Sequence, residues 1–218
     1  MKQTVRVKIC GITRPEDALA AEAAGADAVG LIFAARSKRR VTLEQARAVC
    51  SELGPFTARV GVFVDAPLEL VFTTVRQLRL SAVQLNGDET PDYAAALRRE
   101  VQVIRAVSFS PDLDVVGLLA FPADAILLDS LAPGSGRAFS WADAAALRGL
   151  PQLILAGGLT PENIGAGIEA LEPCAVDVAS GVESTVGVKD HTKIQDFVRA
   201  AKAFPNLEVI HRSPGACG

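Results

Sequence analysis

Eight short runs of β-branched and aliphatic residues recur along the chain, and stretches with helical spacing separate them. The runs are RVKIC (6–10), DAVGLIF (27–33), ARVGVFV (58–64), AVQL (82–85), VQVIRAV (101–107), AILLD (125–129), QLILA (152–156) and AVDVAS (175–180). Helical stretches such as PEDALAAEAAG, TLEQARAVCSEL, PDYAAALRRE and TPENIGAGIEAL lie between them, and HTKIQDFVRAAKAF follows the eighth. Strands that alternate with helices imply a parallel sheet with helices packed on its faces. Eight such units within 218 residues match a single, compact (βα)8 TIM barrel with a parallel eight-stranded ring. A doubly wound open sheet is the alternative. It usually has fewer strands, and no G-x-G-x-x-G follows the first run to hold a dinucleotide. Thr13 with Pro15, Thr42, and Thr160 with Pro161 stand where N-caps and first-turn prolines belong.

No linker divides the chain, so one catalytic barrel is expected over residues 1–205. The last stretch, PNLEVIHRSPGACG, breaks the pattern, and residues 206–218 are expected to be a poorly ordered tail. Half of the residues are hydrophobic, enough for a sizeable core without staples. Net charge is −3 and the pI is about 5.5. That argues against nucleic acid as a partner, which would require clustered positive charge. The one basic run, RSKRR at 36–40, is local. Cys10, Cys50, Cys174 and Cys217 are irregularly spaced with no CxxC, so neither a zinc site nor a disulfide framework is expected. The N-terminus is too short and polar for a signal peptide, and no apolar run nears the ~20 residues of a membrane helix. The expectation is a soluble, cytoplasmic protein.

In such barrels the chemistry sits on the loops that follow the strands. Read together, the strand ends carry Cys10, the RSKRR loop, Asp65, Asn86, Ser108, Asp129, Gly157-Gly158 and ASGVES (179–184). The last two strands run into Gly157-Gly158 and Ser180-Gly181. Glycine lets backbone N–H groups turn toward a ligand, and loops seven and eight form the usual phosphate site of this architecture. Tight turns alone would explain either loop; the two together favour a phosphorylated small molecule. Asp129, at the tip of a buried strand, is costly unless paired, hydrated or used. In a closed ring it can face Cys10 across the mouth, and a thiol and a carboxylic acid so placed make a base and an acid. No His/Cys/Glu cluster has metal-ligand spacing. Asp177, inside the eighth strand, needs a partner whether it serves substrate or structure. His191 reads as a solvated or capping residue, Cys50 as core, and Trp141 as an anchor for the helix that follows it.

The motifs VKICGIT, GADAVGLIF with Ser37-x-Arg39, VQLNG, LLDS, GSGRAFSW, LAGGLTPENI and VDVASGVES with KDH together resemble the phosphoribosylanthranilate isomerase family of tryptophan biosynthesis. The likeness runs from about residue 5 to residue 204. It implies a cofactor-free (βα)8 enzyme, monomeric or homodimeric. The enzyme is an intramolecular oxidoreductase that converts N-(5-phosphoribosyl)anthranilate to 1-(2-carboxyphenylamino)-1-deoxyribulose 5-phosphate. By the resemblance the general base falls on Cys10 and the general acid on Asp129. Arg39 would hold the anthranilate carboxylate, and Gly157, Gly158, Ser180 and Gly181 the phosphate, with Asp177 counted among the substrate-binding residues.

For this chemistry both groups must be moved toward neutrality, since an unperturbed thiol titrates near ~8.5 and an Asp near ~3.9. The N–H groups after Gly11 are a candidate influence on the thiol. The chain departs from the family's pattern in Asn86, where histidine is usual, in Arg40, where an aromatic is more common, and in the short loop LAPGSGRAF. Two rival readings are an aminoimidazole-ribotide isomerase, which would place paired aspartates and a second phosphate site, and a non-catalytic binding barrel. Cys10 at the first strand tip, one late phosphate site and an intact Cys10–Asp129 pair speak against them.

Overall fold

The computed structural model describes residues 4–130 and 140–204. Strands β1 (Arg6–Cys10), β2 (Ala28–Ile32), β3 (Ala58–Phe63), β4 (Ala82–Leu85), β5 (Gln102–Ser108), β6 (Ala125–Asp129), β7 (Leu153–Leu155) and β8 (Ala175–Val178) form a closed parallel ring in chain order. Helices α1 (Pro15–Ala23), α2 (Leu43–Glu52), α3 (Leu68–Leu78), α4 (Pro91–Leu97), α5 (Val115–Ala120), α6 (Ile164–Leu171) and α7 (His191–Lys202) surround it. A short antiparallel pair, β9 (Glu183–Thr185) and β10 (Val188–Lys189), stands between β8 and α7. The barrel is the architecture expected from the alternation. The expected tail and the loop LAPGSGRAF (131–139) lie outside the described residues.

Period-2 alternation divides each strand between two cores. Val7 and Ile9 of β1, Val83 and Leu85 of β4, and Val176 and Val178 of β8 face the helices in the larger core. The opposite faces turn into the ring, where Val60, Ala82, Ile104, Ala106, Leu127, Ile154 and Ala156 pack together. Lys8 and Cys10, Gln84, Asp129, and Asp177 have the same parity as this inner set, so the ring that is aliphatic in one part is polar in another.

Local signals place the helices with some corrections. Thr42 caps α2 in a full capping box with Gln45, and Thr90, Asp114 and Asp190 cap α4, α5 and α7. Thr13 does not cap α1: the N-cap is Arg14, and the Thr13 hydroxyl donates instead to the Gly187 carbonyl. Helix α6 starts at Ile164 rather than beside Pro161, because Asn163 accepts from the Thr160 N–H and holds TPEN in a turn. Only a 3-10 turn, Ala145–Leu147, follows Trp141. The indole packs against α6, where a Cβ on Gly167 would lie 3.4 Å from it. Cys50 belongs to the outer core, as expected.

Asp17 ties the first and last parts of the chain together. Its fully buried carboxylate accepts from the Arg14 guanidinium, the Lys189 backbone N–H and, at 2.9 Å, His191 Nε2. His191 is therefore the partner of a buried acid at the start of α7. Burial opposes the Asp17 charge, but the Arg14, His191 and Lys189 contacts outweigh it and hold the carboxyl below its usual range. A carboxyl held low stabilises the fold above its unfolded pKa, and this stability is lost as pH falls through the folded value. Asp17→Asn is expected to lower stability near neutral pH by about 1–3 kcal/mol. It should also flatten the acid-side decline in thermal midpoint below about pH 4, which melting curves across pH will test.

Candidate active site

β1 presents Lys8 and Cys10 on one face, two residues apart. Cys10 is buried, 5% exposed. The neighbouring strand makes room for it with glycine: a Cβ on Gly30 would stand 2.7 Å from the sulfur and 3.1 Å from Lys8 Cε. Burial pushes the thiol above its ordinary pKa, Asp177 adds to the rise, and the Lys8 and Lys189 ammonium groups oppose it. The charges acting on the sulfur are thus two lysines and an aspartate, and the Ile12 N–H that follows Gly11 donates to the Gly30 carbonyl.

Lys8 is a buried cation in the middle of a strand. Its ammonium donates to Asp177 Oδ1 and to Gln84 Oε1, both at 2.9 Å. Gln84 in turn donates to Asn86 Oδ1 at 2.9 Å. Desolvating an ion pair costs several kcal/mol per ion unless geometry and further hydrogen bonds compensate. Here burial works against the Lys8 charge, but Asp177 beside it holds the proton on. Asp177, undecided between two roles in the sequence, is thereby a member of a buried pair. Asn86 extends that network rather than titrating.

Asp129 ends β6 with Oδ1 accepting from the Ser130 backbone N–H at 2.7 Å. Burial raises its carboxyl above the usual range, the Ser130 hydrogen bond opposes this, and the Asp177 charge adds to it. Asp129 and Asp177 share a cavity of about 50 Å³ with Gly157, Gly158, Ala179 and Ser180. Gly157 and Gly158 have φ of +83° and +66°. A Cβ on Gly157 would lie 2.5 Å from Ser130 N and 2.9 Å from Asp129 Oδ1, so the glycine permits loop seven to touch the acid. Gly181 does a different job: a Cβ there would lie 1.9 Å from the Leu159 carbonyl oxygen, so it lets loops seven and eight abut.

Arg39 donates from Nε and Nη2 to the two oxygens of Glu183, each at 2.7 Å. The fully buried Lys189 side chain donates to the same carboxylate at 3.1 Å and to the Ala179 carbonyl at 2.9 Å. Arg39 is also packed over Gly11, where a Cβ would meet its Cδ at 2.7 Å. Arg39 is therefore held by Glu183 at the rim beside Cys10.

The structure brings Cys10, Asp129, Asp177, Gly157, Gly158 and Ser180 to one end of the ring and puts Arg39 next to Cys10. Sequence reasoning missed Lys8, Gln84, Glu183 and Lys189. Lys8 did carry a signal, a charge inside an apolar strand at the parity of Cys10; Gln84 meets Lys8 and Glu183 meets Arg39 only across long separations, although Lys189 lies six positions from Glu183.

A closed parallel ring with a thiol, a carboxyl and glycine loops at the C-terminal ends of its strands defines a (βα)8-barrel protein of the kind that does chemistry at that mouth. The family model for N-(5'-phosphoribosyl)anthranilate (PRA) isomerase matches residues 7–200. The chain is 46% identical over 203 residues to the N-(5'-phosphoribosyl)anthranilate isomerase of Geobacter metallireducens, covering 91% of this chain and all of that relative. Among solved structures it is similar to the phosphoribosyl anthranilate isomerase of Thermus thermophilus, with 45% identity, 90% and 98% coverage and a TM-score of 0.81. It is likewise similar to a phosphoribosyl anthranilate isomerase in complex with reduced 1-(o-carboxyphenylamino)-1-deoxyribulose 5-phosphate, with 42% identity, 92% and 100% coverage and a TM-score of 0.83. The chain belongs to the phosphoribosylanthranilate isomerase family, enzymes of tryptophan biosynthesis.

Gly30→Ala should displace the Cys10 sulfur and press on the Lys8 side chain beside it. The expected result is a kcat lower by about 10²-fold, the scale of a 1 Å misplacement. Steady-state kinetics beside a thermal melt will separate this from a loss of fold.

Proposed function

We propose that the chain isomerises N-(5-phosphoribosyl)anthranilate with Cys10 as general base and Asp129 as general acid. The observation that carries this reading is the cavity that Asp129 and Asp177 share with the glycine loops, Asp177 being also close enough to act on the buried Cys10 thiol. A phosphate seated on the loop amides of Gly157, Gly158 and Ser180 would bring the sugar against Asp129. The protonated carboxyl donates its proton to the furanose ring oxygen, the C1′–O bond breaks, and the anthranilate nitrogen supplies electrons to form an iminium. That cation acidifies C2′. The Cys10 thiolate takes the C2′ proton, and the resulting enolamine tautomerises to the ketone. The C1′ carbon is reduced and C2′ oxidised within one molecule, which makes the reaction an intramolecular oxidoreduction and needs no cofactor.

Arg39 is a fitting partner for the anthranilate carboxylate. Glu183 occupies Nε and Nη2, and a guanidinium has five N–H donors in all. Glu183 thereby orients the fork while leaving donors to spend on substrate. Asp177 serves the site through the Lys8 pair more than by direct contact. Cytoplasmic residence fits a tryptophan-biosynthetic enzyme, and among the described residues no helix is long and apolar enough to cross a membrane. A monomer or a homodimer is compatible with the fold; one solved relative, from Thermotoga maritima, is described as monomers generated from a dimeric enzyme.

The pH dependence has a definite sign. Rate rises with pH as Cys10 loses its proton and falls as Asp129 loses its own, so a bell is expected. Burial raises both groups, which moves both limbs up from the ordinary values of a thiol and a carboxyl. Asp129→Asn should lose at least ~10² in rate, and its residual rate should climb with pH to a plateau without the alkaline fall. An alkaline fall that survives in Asp129→Asn would remove Asp129 as the acid. Near-normal turnover in Cys10→Ser, or growth of a tryptophan auxotroph on Asp129→Asn, would count equally against the pair.

A further inference from the structure

The mechanism asks opposite things of two buried groups. Cys10 must be able to lose a proton while Asp129 keeps one, and burial alone helps only the second. A buried ion pair lies between them. Its cationic end, the Lys8 side chain, converges with the Cys10 sulfur over Gly30. Its anionic end, Asp177, lines the cavity together with Asp129. Gln84 accepts a second hydrogen bond from the ammonium and donates one to Asn86, so the lysine is fixed from two strands besides its own.

We propose that Lys8 and Asp177 are positioning residues that act as one oriented pair, Lys8 providing the fixed positive charge against which the Cys10 thiolate forms and Asp177 the negative charge that keeps the proton on Asp129. This deepens the isomerase mechanism given above and rests on its assignment of base and acid. The pair is the price of placing two oppositely demanding groups in one dry mouth: a single isolated charge there would favour one group at the other's expense without a counterweight.

The other charges facing the sulfur do not offer the same arrangement. Lys189, from β10, lies close enough to favour the thiolate, but its ammonium is bound to Glu183 and to the Ala179 carbonyl. Arg39, from the loop after β2, shares that one carboxylate with Lys189, and Glu183 does not line the cavity of Asp129, so this cluster sets no anion beside the acid. Asp177, from β8, acts on the sulfur in the opposite sense to Lys8. On Asp129 the same two residues also act in opposite senses, Asp177 raising and Lys8 lowering the carboxyl. This opposition gives a signature that a merely structural pair would lack.

The test uses the full chain with Cys50, Cys174 and Cys217 changed to alanine, so that the thiolate ultraviolet absorbance reports Cys10 alone. Asp177→Asn is expected to lower the Cys10 midpoint and Lys8→Met to raise it, each by about one unit or more. The Asp129 carboxyl, followed by carbon NMR, is expected to titrate lower in Asp177→Asn. Midpoints that move in the same direction, or that stay put in either folded variant, overturn the proposal. Should Lys8→Met fail to fold, Asp177→Asn decides by itself: a Cys10 midpoint that rises or is unchanged overturns the proposal. None of these titrations needs substrate. Failure of the isomerase reading would appear separately, as a wild-type chain that binds or turns over no N-(5-phosphoribosyl)anthranilate.

Discussion

Strand β1 pairs with β8 in a register that sets Lys8 opposite Asp177, and much else in the molecule depends on that seam. The pairing closes the ring. It leaves β1 and β8 without free edges, and it joins the two charges inside the barrel at 2.9 Å. A one-residue slip would turn Lys8 and Cys10 outward into the helical layer and bring Val7 and Ile9 into the ring. Taking Lys8 away from Asp177 into that apolar layer would cost free energy, so the ion pair supports the register along with the aliphatic packing. Asp17 reinforces the same closure from outside by binding β10 and α7 to α1.

From this seam the mouth acquires its chemistry in layers. The inner face of the ring has an aliphatic part, where Leu127, Ile154 and Ala156 pack. Its polar part holds the Lys8–Asp177–Gln84 network, with Cys10 and Asp129 near it. Above it Arg39, Glu183 and the buried Lys189 form a cluster that joins the glycine loops through the Ala179 carbonyl. The aliphatic part packs beneath the charged one; in the mechanism proposed above the charged part sets the protonation of Cys10 and Asp129, and the rim would offer hydrogen-bond donors to the two anionic ends of the substrate. Glycines stand where backbone and side chain must come closer than a Cβ allows, as at Gly30 under the sulfur and Gly181 against Leu159.

The departures from expectation have local causes. Thr13 and Thr160 look like caps in sequence, yet a tertiary carbonyl at Gly187 takes the first hydroxyl, and Asn163 holds the turn that contains the second. Trp141 packs across on α6, because the segment after it forms only one 3-10 turn and offers no long helix to anchor. Arg39 is bound by Glu183, 144 positions away, and nothing near either residue marks the other. Asn86 gives up any acid–base role and acquires a structural one by accepting from Gln84.

The order of strands and helices, and hence the barrel, was written in the sequence through hydrophobic periodicity, which is a local property of a few residues at a time. The polar strand ends followed from it, because a parallel ring puts every strand's C-terminus on one side. Cys10, Asp129 and the paired glycines could therefore be assigned to one mouth from their positions alone. Only the tertiary structure decided what each of them meets. Electrostatic partnership depends on distance in space, and the ring joins Lys8 to Asp177 across 169 positions of chain, a separation over which no sequence pattern records which charge will face which.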